Sequence, residues 1–469
     1  MQRLRTLTEG SITRGLFQFA LPILFANVLE SLNGSVNSMW VGRYLGEAAL
    51  TATSNANTVM FLLIGAAFGV AMAATILIGQ CIGASNIREA KCAIGTSATF
   101  FATISVGISV AGLTLSEPLL ALMKTPADSF PLAVAYMRVI FLALPSLYMY
   151  AFVMSALQGA GDSKTPFYFM LLSVAIDIAL NPVFIFGVGP IPRLGIAGSA
   201  LATVVAQSVS LTALVIHLYR HQHPLCLHKN ELPMLRVDWA IAGTLIRKGI
   251  PMSGHILVLS LSWVLMITLV NRFGVNTTAA FGALMQLWNY VQMPALAVGM
   301  AASTMAAQNV GAQKWDRVKS IARVGVVYSI LATGCIVLVL EIVDSPAFES
   351  FLPAGSHALA IASHLNRVVT WSWVFSGISI VLFGITRATG AVMAPVLIAT
   401  LSLLVVRFAL AETLLDRWQA DAIWWSFPIS SALHVVLAGL YYKYGGWRTA
   451  RLEIPVPVEI LGAHPTEDL

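Results

Sequence analysis

The sequence predicts an all-α membrane protein in which twelve transmembrane helices form two six-helix bundles related by a pseudo-twofold axis along the membrane normal. Composition, twelve long apolar stretches and an internal repeat support this prediction. Of 469 residues, 58% are hydrophobic and 10% are charged, whereas soluble domains carry about 25% charged residues. This composition excludes soluble enzymes and nucleic-acid-binding proteins, although the formal net charge is +6.

The apolar stretches are long enough to cross a membrane as helices, which takes about 20 residues for roughly 30 Å of hydrocarbon. They are apolar on all faces rather than alternating, which favours helices over barrel strands. They lie near residues 16–41, 54–80, 93–115, 131–157, 166–189, 196–219, 249–271, 280–307, 324–341, 358–385, 392–413 and 421–442.

The longest polar interruption separates six spans from six and sets the predicted domains. These are an N-terminal lobe over 1–220, a cytoplasmic linker over 221–248, a C-terminal lobe over 249–445 and a cytoplasmic tail over 446–469. The termini and the loops predicted on their side hold 19 Lys and Arg, and the opposite loops hold 5. Because cytoplasmic loops are enriched in basic residues, both termini are expected in the cytoplasm.

The two halves of the chain resemble one another at an offset of 229 residues. Pro22 recurs as Pro251, Arg138 as Arg367, and a Gln-x-x-Gly-Ala sequence recurs at offset 228. Since each half has an even number of spans, both enter the membrane in the same sense, an arrangement found in secondary transporters. A cleft between the lobes is the expected substrate site, although a repeat can also serve stability alone.

Only two acidic residues, Glu30 and Asp177, lie deep inside predicted spans. A carboxylate at the bilayer centre costs about 2.5–3.5 kcal/mol, so it is retained for function or paired. Asp177 and Asn181 are spaced i, i+4 and share a helix face, and Glu30, Asn33 and Asn37 form a polar stripe. The alternative is that each carboxyl is protonated and only hydrogen-bonded to neighbouring polar groups.

Other signals are weaker. Arg138, Arg367 and Arg407 are expected to reach the outer interface or pair with carbonyls. Polarizable side chains in the second half suit a broad-specificity cleft, but ordinary helix packing explains them equally well; they are Trp263, Met285, Trp288 and Met293. No CxxC pair, P-loop, HExxH or GxSxG sequence occurs, so neither an enzyme, a resident metal nor an organic cofactor is indicated.

Several segments resemble the multidrug and toxic compound extrusion (MATE) family. They include Ala20-Leu21-Pro22-Ile23, Val41-Gly42-Arg43, Gln158-Gly159-Ala160-Gly161-Asp162, Asn181-Pro182-x-Phe184 and Gln308-Asn309-x-Gly311-Ala312. The resemblance implies twelve helices in two six-helix lobes that work by alternating access. It also implies export of amphipathic, often cationic, organic compounds across the lipid bilayer in exchange for H⁺ or Na⁺. We also expect a monomer in the plasma membrane, as the inner membrane of a bacterium.

The chain departs from the family pattern at the coupling residues. Asn37 stands where the family has an Asp, Asp177 and Asn181 appear in exchanged order, and Thr203 matches the family's cation-site threonine. By this resemblance the coupling site comprises Asp177, Asn181, Asn37 and Thr203, with Glu30 as a second proton carrier. Protons are favoured over sodium because a charged ligand is lost. The alternatives are a lipid-linked saccharide flippase of the same superfamily and a channel or sensor without active coupling.

Overall fold

The computed structural model describes residues 6–190 and 192–450, and over these ranges the chain is helical with no β-strand. Most of the predicted C-terminal tail, residues 451–469, lies outside the described residues. The first half contains six long helices: α1 Ile12–Leu45, α2 Glu47–Gly83, α3 Ile87–Leu122, α4 Phe130–Gly159, α5 Lys164–Phe186 and α6 Ile196–Arg220.

The second half repeats this order with more breaks. Its helices are α7 Trp239–Val270, α8 Val275–Gly311, α9 Trp315–Ile342, the short α10 Asp344–Glu349, α11 His357–Val369, α12 Ser372–Arg387, α13 Met393–Ala399, α14 Arg407–Trp418 and α15 Ala420–Tyr444. A π-helical segment, Thr400–Val406, joins α13 to α14. The predicted tenth span is divided into α11 and α12, which meet at 47°.

Within residues 6–190 and 192–450, ten helices are long and apolar enough to cross a membrane, counting α13 and α14 with the π-helical segment between them as one, and the bent pair α11–α12 makes eleven. The remaining predicted span is α8, a helix of 37 residues. Its hydropathy is lowered by amide and hydroxyl side chains, many of which are buried against other helices, such as Gln292, Ser303 and Gln308. The helix therefore has the required length, with its polar face enclosed by protein rather than lipid.

In the predicted linker, 221–248, helix α7 already begins at Trp239, ten residues before its predicted membrane span. The Asp238 side chain accepts hydrogen bonds from the backbone N–H groups of Ala240 and Ile241 and so starts the helix early. Within the linker, both Glu231 carboxylate oxygens accept 2.7 Å bonds from Lys91 of α3. The His228 backbone N–H and this ammonium group hold the pKa of Glu231 below its usual range.

The two lobes meet through α1 and α2 of the first half and α7, α8 and α9 of the second. The closest approach is between α2 and α8. A Cβ added at Gly83 would lie 2.8 Å from the Cα of Gln308, and one added at Gly311 would lie 2.8 Å from the carbonyl carbon of Gln80. Only glycine allows these two backbones to approach so closely.

Two glutamines and the N-terminal segment lock this contact. Gln80 donates to the carbonyl of Ala388 at 2.6 Å, and Gln308 donates to the carbonyl of Gly159 at 3.0 Å. The Gln308 side-chain oxygen accepts from the backbone of Leu7 at 2.8 Å. These contacts, here called the seal, close the lobes together at the end of the bundle where both termini lie.

The seal predicts that Gly83→Ala shifts the protein away from this conformation. Overpacking a close contact costs about 1–3 kcal/mol, which corresponds to roughly a five- to hundredfold change in population. Cys81 is a native reporter, because its side chain is 1% exposed and lies next to Gly83. Its alkylation by maleimide, followed by mass spectrometry, should become faster in the variant.

The matched control is Gly107→Ala, since a Cβ at Gly107 would meet nothing within 4 Å. It should leave Cys81 as protected as in the parent protein. Equal protection of Cys81 in Gly83→Ala would contradict the role assigned to the glycine contact.

Candidate functional site

A cavity of about 310 Å³ lies inside the first lobe, among α1, α2, α4, α5 and α6. Its wall combines polar side chains of α1 with residues from the other helices. The polar lining includes Glu30, Asn33, Asn37, Ser38, Thr53, Asn57, Tyr136, Ser173, Ser199, Thr203 and Gln207. The polar stripe predicted on α1 therefore faces a protein cavity rather than lipid.

Asp177 lies directly behind this wall, with 1% of its side chain exposed. Its Oδ2 accepts hydrogen bonds from Asn33 Nδ2 at 2.7 Å and Asn37 Nδ2 at 3.0 Å. Its Oδ1 accepts from Asn181 Nδ2 at 3.1 Å and Thr203 Oγ1 at 3.2 Å. The carboxylate thus joins α1, α5 and α6 through four neutral donors.

The local sequence of α5 explains part of this arrangement. Asn181 follows Asp177 by one helical turn, so both side chains lie on the same face. Besides the carboxylate, Asn181 Nδ2 donates to the Asp177 backbone carbonyl at 3.1 Å and to Asn37 Oδ1 at 2.8 Å. Pro182 lies within α5, which continues through it to Phe186.

The same cluster is rich in oxygen atoms. The side-chain oxygens of Asn33 and Asn181 are buried and accept no hydrogen bond within the described part of the chain. Together with the Asp177 carboxylate and the Thr203 hydroxyl they form a set of ligands typical of small hard cations. The carboxylate alone is sufficient to take up a proton. The arrangement is therefore chemically competent for either ion.

The structure brings together the four residues predicted for coupling, Asp177, Asn181, Asn37 and Thr203. Glu30 lines the same cavity. Asn33 was not assigned to the site, although it makes the shortest bond to Asp177. The sequence feature that could have assigned Asn33 to the site was its position in the polar stripe of α1, between Glu30 and Asn37. The coupling role of these residues stays a prediction.

The side chains predicted for a substrate cleft in the second lobe belong largely to a packed cluster. Trp263 and Trp288 contact edge to face with centroids 5.1 Å apart, and Trp263 also packs against Phe427 at 5.3 Å. Met285 packs against the same cluster, and Met293 is half-buried. Their part in substrate binding stays a prediction.

Arg407 does not reach the outer interface as the sequence suggested. Its side chain is only 5% exposed; Nε donates to Ser430 at 2.8 Å and Nη2 to Ser431 at 3.3 Å. Arg407 follows Val406, the repeat counterpart of Asp177, by one residue. The second lobe therefore buries a base near the position where the first lobe buries an acid.

These features define a multi-pass membrane protein of two repeated lobes with a polar site inside one of them. The family MatE matches residues 22–183 and 251–412, two segments whose ends are both separated by 229 residues, as the internal repeat predicts. The chain belongs to this family.

Its relatives and structural neighbours are consistent with this assignment. It is 35% identical to the probable multidrug resistance protein YoeA of Bacillus subtilis, over 93% of this chain and 95% of that one. It is 26% identical to an FAD transporter of Shewanella oneidensis, over 67% and 68%. The Vibrio cholerae MATE transporter VcmN in its bent form superposes with a TM-score of 0.84 at 21% identity, covering 94% and 98%.

The hydrogen-bond network predicts that Asn37→Ala destabilises the first lobe. The substitution removes one donor to Asp177 and one of the three acceptors of Asn181 Nδ2, which costs about 1–3 kcal/mol for buried groups. Thermal unfolding in detergent measures the change. Because the residues share one network, the loss should be smaller in an Asp177→Asn background.

Ser38→Ala is the control on the same helix, since Ser38 donates only to the carbonyl of Gly34 at 2.9 Å. It should change stability by no more than about 0.5 kcal/mol. Additive effects of Asn37→Ala and Asp177→Asn would show that the two residues are not coupled.

Proposed function

We propose that this protein is a secondary active antiporter that exports small amphipathic, often cationic, organic compounds in exchange for protons by alternating access. It resides in a bacterial inner membrane as a monomer, with both termini in the cytoplasm. The observation that supports this most directly is the carboxylate of Asp177, held by donors from three helices behind a cavity that Glu30 also lines.

Protonation of Asp177 offers a physical route from ion binding to conformation. The ionised carboxylate accepts two bonds from α1, through Asn33 and Asn37. A neutral acid carries one O–H donor and accepts more weakly, so protonation loosens α1 from α5. Since α1 also packs against α8 and α9 of the other lobe, its movement alters the contact between lobes.

The energy available is adequate for export. One charge crossing the membrane yields about 2.3 kcal/mol per 100 mV. Each tenfold concentration ratio costs about 1.4 kcal/mol. One proton therefore supports roughly a fortyfold concentration ratio of a neutral substrate across the membrane.

Two alternatives make different predictions. A channel or sensor would show no dependence on an ion gradient and would tolerate loss of the Asp177 charge. A lipid-linked saccharide flippase would favour a strongly basic cavity, whereas this cavity is lined by Glu30 and backed by Asp177. The relatives' names include multidrug resistance proteins and an FAD transporter, which supports organic substrates of varied chemistry.

Asp177→Asn should abolish gradient-driven export, because an amide can neither ionise nor carry a proton. Uptake of a fluorescent organic cation into everted vesicles should fall to the level seen with a protonophore. Asp128→Asn is the control, since Asp128 is exposed in the loop before α4; it should transport normally. Gradient-driven uptake that persists in Asp177→Asn would reject the assigned coupling residue.

Asn37→Asp should shift the preference of the site towards sodium. The new carboxylate would lie close to Asp177, because the present amide nitrogen is 3.0 Å from Oδ2. Two adjacent carboxylates favour a bound cation over the empty site. Reconstituted vesicles given either a pH jump or a Na⁺ jump should show proton-driven transport in the parent and a larger sodium response in the variant. A sodium-driven, pH-insensitive parent would overturn proton coupling and leave antiport standing.

A further inference from the structure

The second lobe holds a group of basic side chains that the coupling site does not use. They come from four helices: His255 from α7, Arg387 from the end of α12, Arg407 from α14 and His434 from α15. Arg387 lies at the end of the bundle that carries the seal, because the next residue, Ala388, accepts the bond from Gln80. Arg407 lies deeper, near the middle of its span.

The two histidines flank one aromatic ring. The rings of His255 and Phe383 are 6.1 Å apart between centroids, and those of Phe383 and His434 are 5.2 Å apart. Both arginines lie within electrostatic range of His434, and Arg387 is within range of His255. The four basic side chains therefore form one cluster rather than separate features.

The backbone around this cluster is irregular. The π-helical segment Thr400–Val406 precedes Arg407, and π-helical turns occur frequently at functional sites. Within it, the Ser402 hydroxyl lies 2.7 Å from His434 Nδ1. Arg407 packs over the Phe427 ring at 4.5 Å. The segment thus sets the serine and the arginine against α15.

The cluster lacks a negative partner. Neither Arg387 nor Arg407 forms an ion pair with a carboxylate of residues 6–190 or 192–450. Over the same ranges, Arg387 Nη2 and His255 Nδ1 are buried without a hydrogen-bond partner. A buried guanidinium is normally paired with an anion, so the unpartnered Nη2 of Arg387 indicates a place for an anion that is not part of the chain.

The contact between the lobes lies next to this place. α2 packs against α7 just before His255: a Cβ on Gly249 would lie 2.8 Å from the Cα of Val70. Arg387 and His255 remain half-buried. Separation of the lobes at the seal would uncover both of them at the end of the bundle proposed to face the cytoplasm.

We propose that Arg387 and His255, backed by His434 and Arg407, bind the carboxylate or phosphate group of an amphipathic substrate entering from the cytoplasm. Guanidinium groups match the geometry of these anions, and Phe383 offers an apolar surface to the rest of the molecule. The inference rests on the proposed export function and extends its substrates to organic anions.

The test compares two dyes that share a xanthene skeleton, the anion carboxyfluorescein and the cation tetramethylrhodamine methyl ester. Binding to purified protein in detergent is measured by fluorescence polarisation, which needs no ion gradient. Arg387→Gln should weaken carboxyfluorescein binding by about tenfold or more, because a charge-assisted bidentate contact is lost. Binding of the rhodamine ester should stay within about twofold.

Two further variants separate binding from folding. Arg387→Lys keeps the charge and should recover part of the carboxyfluorescein affinity, which a purely structural role would not do. Arg417→Gln, at an exposed position near the end of α14, should bind both dyes as the parent does. If Arg387→Gln does not fold, His255→Gln supplies the same comparison, and selective loss of carboxyfluorescein binding is again expected.

Absence of carboxyfluorescein binding in the parent, or an equal loss of both dyes in Arg387→Gln, would overturn the anion site. Gradient-driven transport of the rhodamine ester is measured in the same variant; its persistence keeps the export function intact when the anion site fails.

A lipid headgroup offers the same phosphate chemistry, so binding is repeated in nanodiscs of phosphatidylcholine with and without phosphatidylglycerol. Carboxyfluorescein affinity that is independent of phosphatidylglycerol supports a soluble substrate. Competition by this lipid that disappears in Arg387→Gln would assign the site to a headgroup and overturn the substrate proposal.

Discussion

A carboxylate inside a membrane-spanning bundle needs partners from the protein, and Asp177 obtains them from α1, α5 and α6. Four neutral donors surround it, which satisfies its oxygens without a fixed positive charge. An arginine in the same place would hold the carboxylate permanently ionised. Neutral donors leave its charge free to be matched by an exchangeable ion. The position of α1 within the first lobe therefore depends on the Asp177 carboxylate, whose charge can be matched by a cation that binds and dissociates.

The two lobes are alike where they touch and differ where they carry charge. Gln80 and Gln308 occupy equivalent places in the seal, and each donates a hydrogen bond to a backbone carbonyl of the opposite lobe. At the level of Asp177, by contrast, the second lobe has Val406 and the buried base Arg407. Symmetric contacts suit the facing surfaces of two lobes that separate and then return to the same alignment. If both proposals hold, the acid in the first lobe and the bases in the second would serve different ligands, so ion and substrate would not compete for one site.

Composition, the apolar stretches and the offset of 229 were sufficient to predict the fold, and the i, i+4 spacing placed Asn181 beside Asp177. The resemblance to the family assigned Asn37 and Thr203 to the cluster. What they left out depends on how helices cross. Several polar residues share one face of α1, but only packing against α5 selects Asn33 for the shortest bond. Arg407 was expected to reach the outer interface or to pair with carbonyls, and the π-helical segment before it was not visible in the sequence. Similarly, the kink between α11 and α12 carries no proline or glycine signal at its break.

One helix connects the coupling cluster to the seal. α1 spans 34 residues, about 51 Å at ~1.5 Å per residue, and contacts Asp177 through Asn33 and Asn37. The segment before it binds the other lobe, where Lys314 donates to the Thr8 carbonyl and Arg317 to that of Gly10. Pro22 lies between these ends and leaves one backbone carbonyl of the helix without its usual partner. α1 therefore links Asp177 to the seal as one continuous element, and under the proposed mechanism a change at Asp177 would be transmitted along it to the contacts between the lobes.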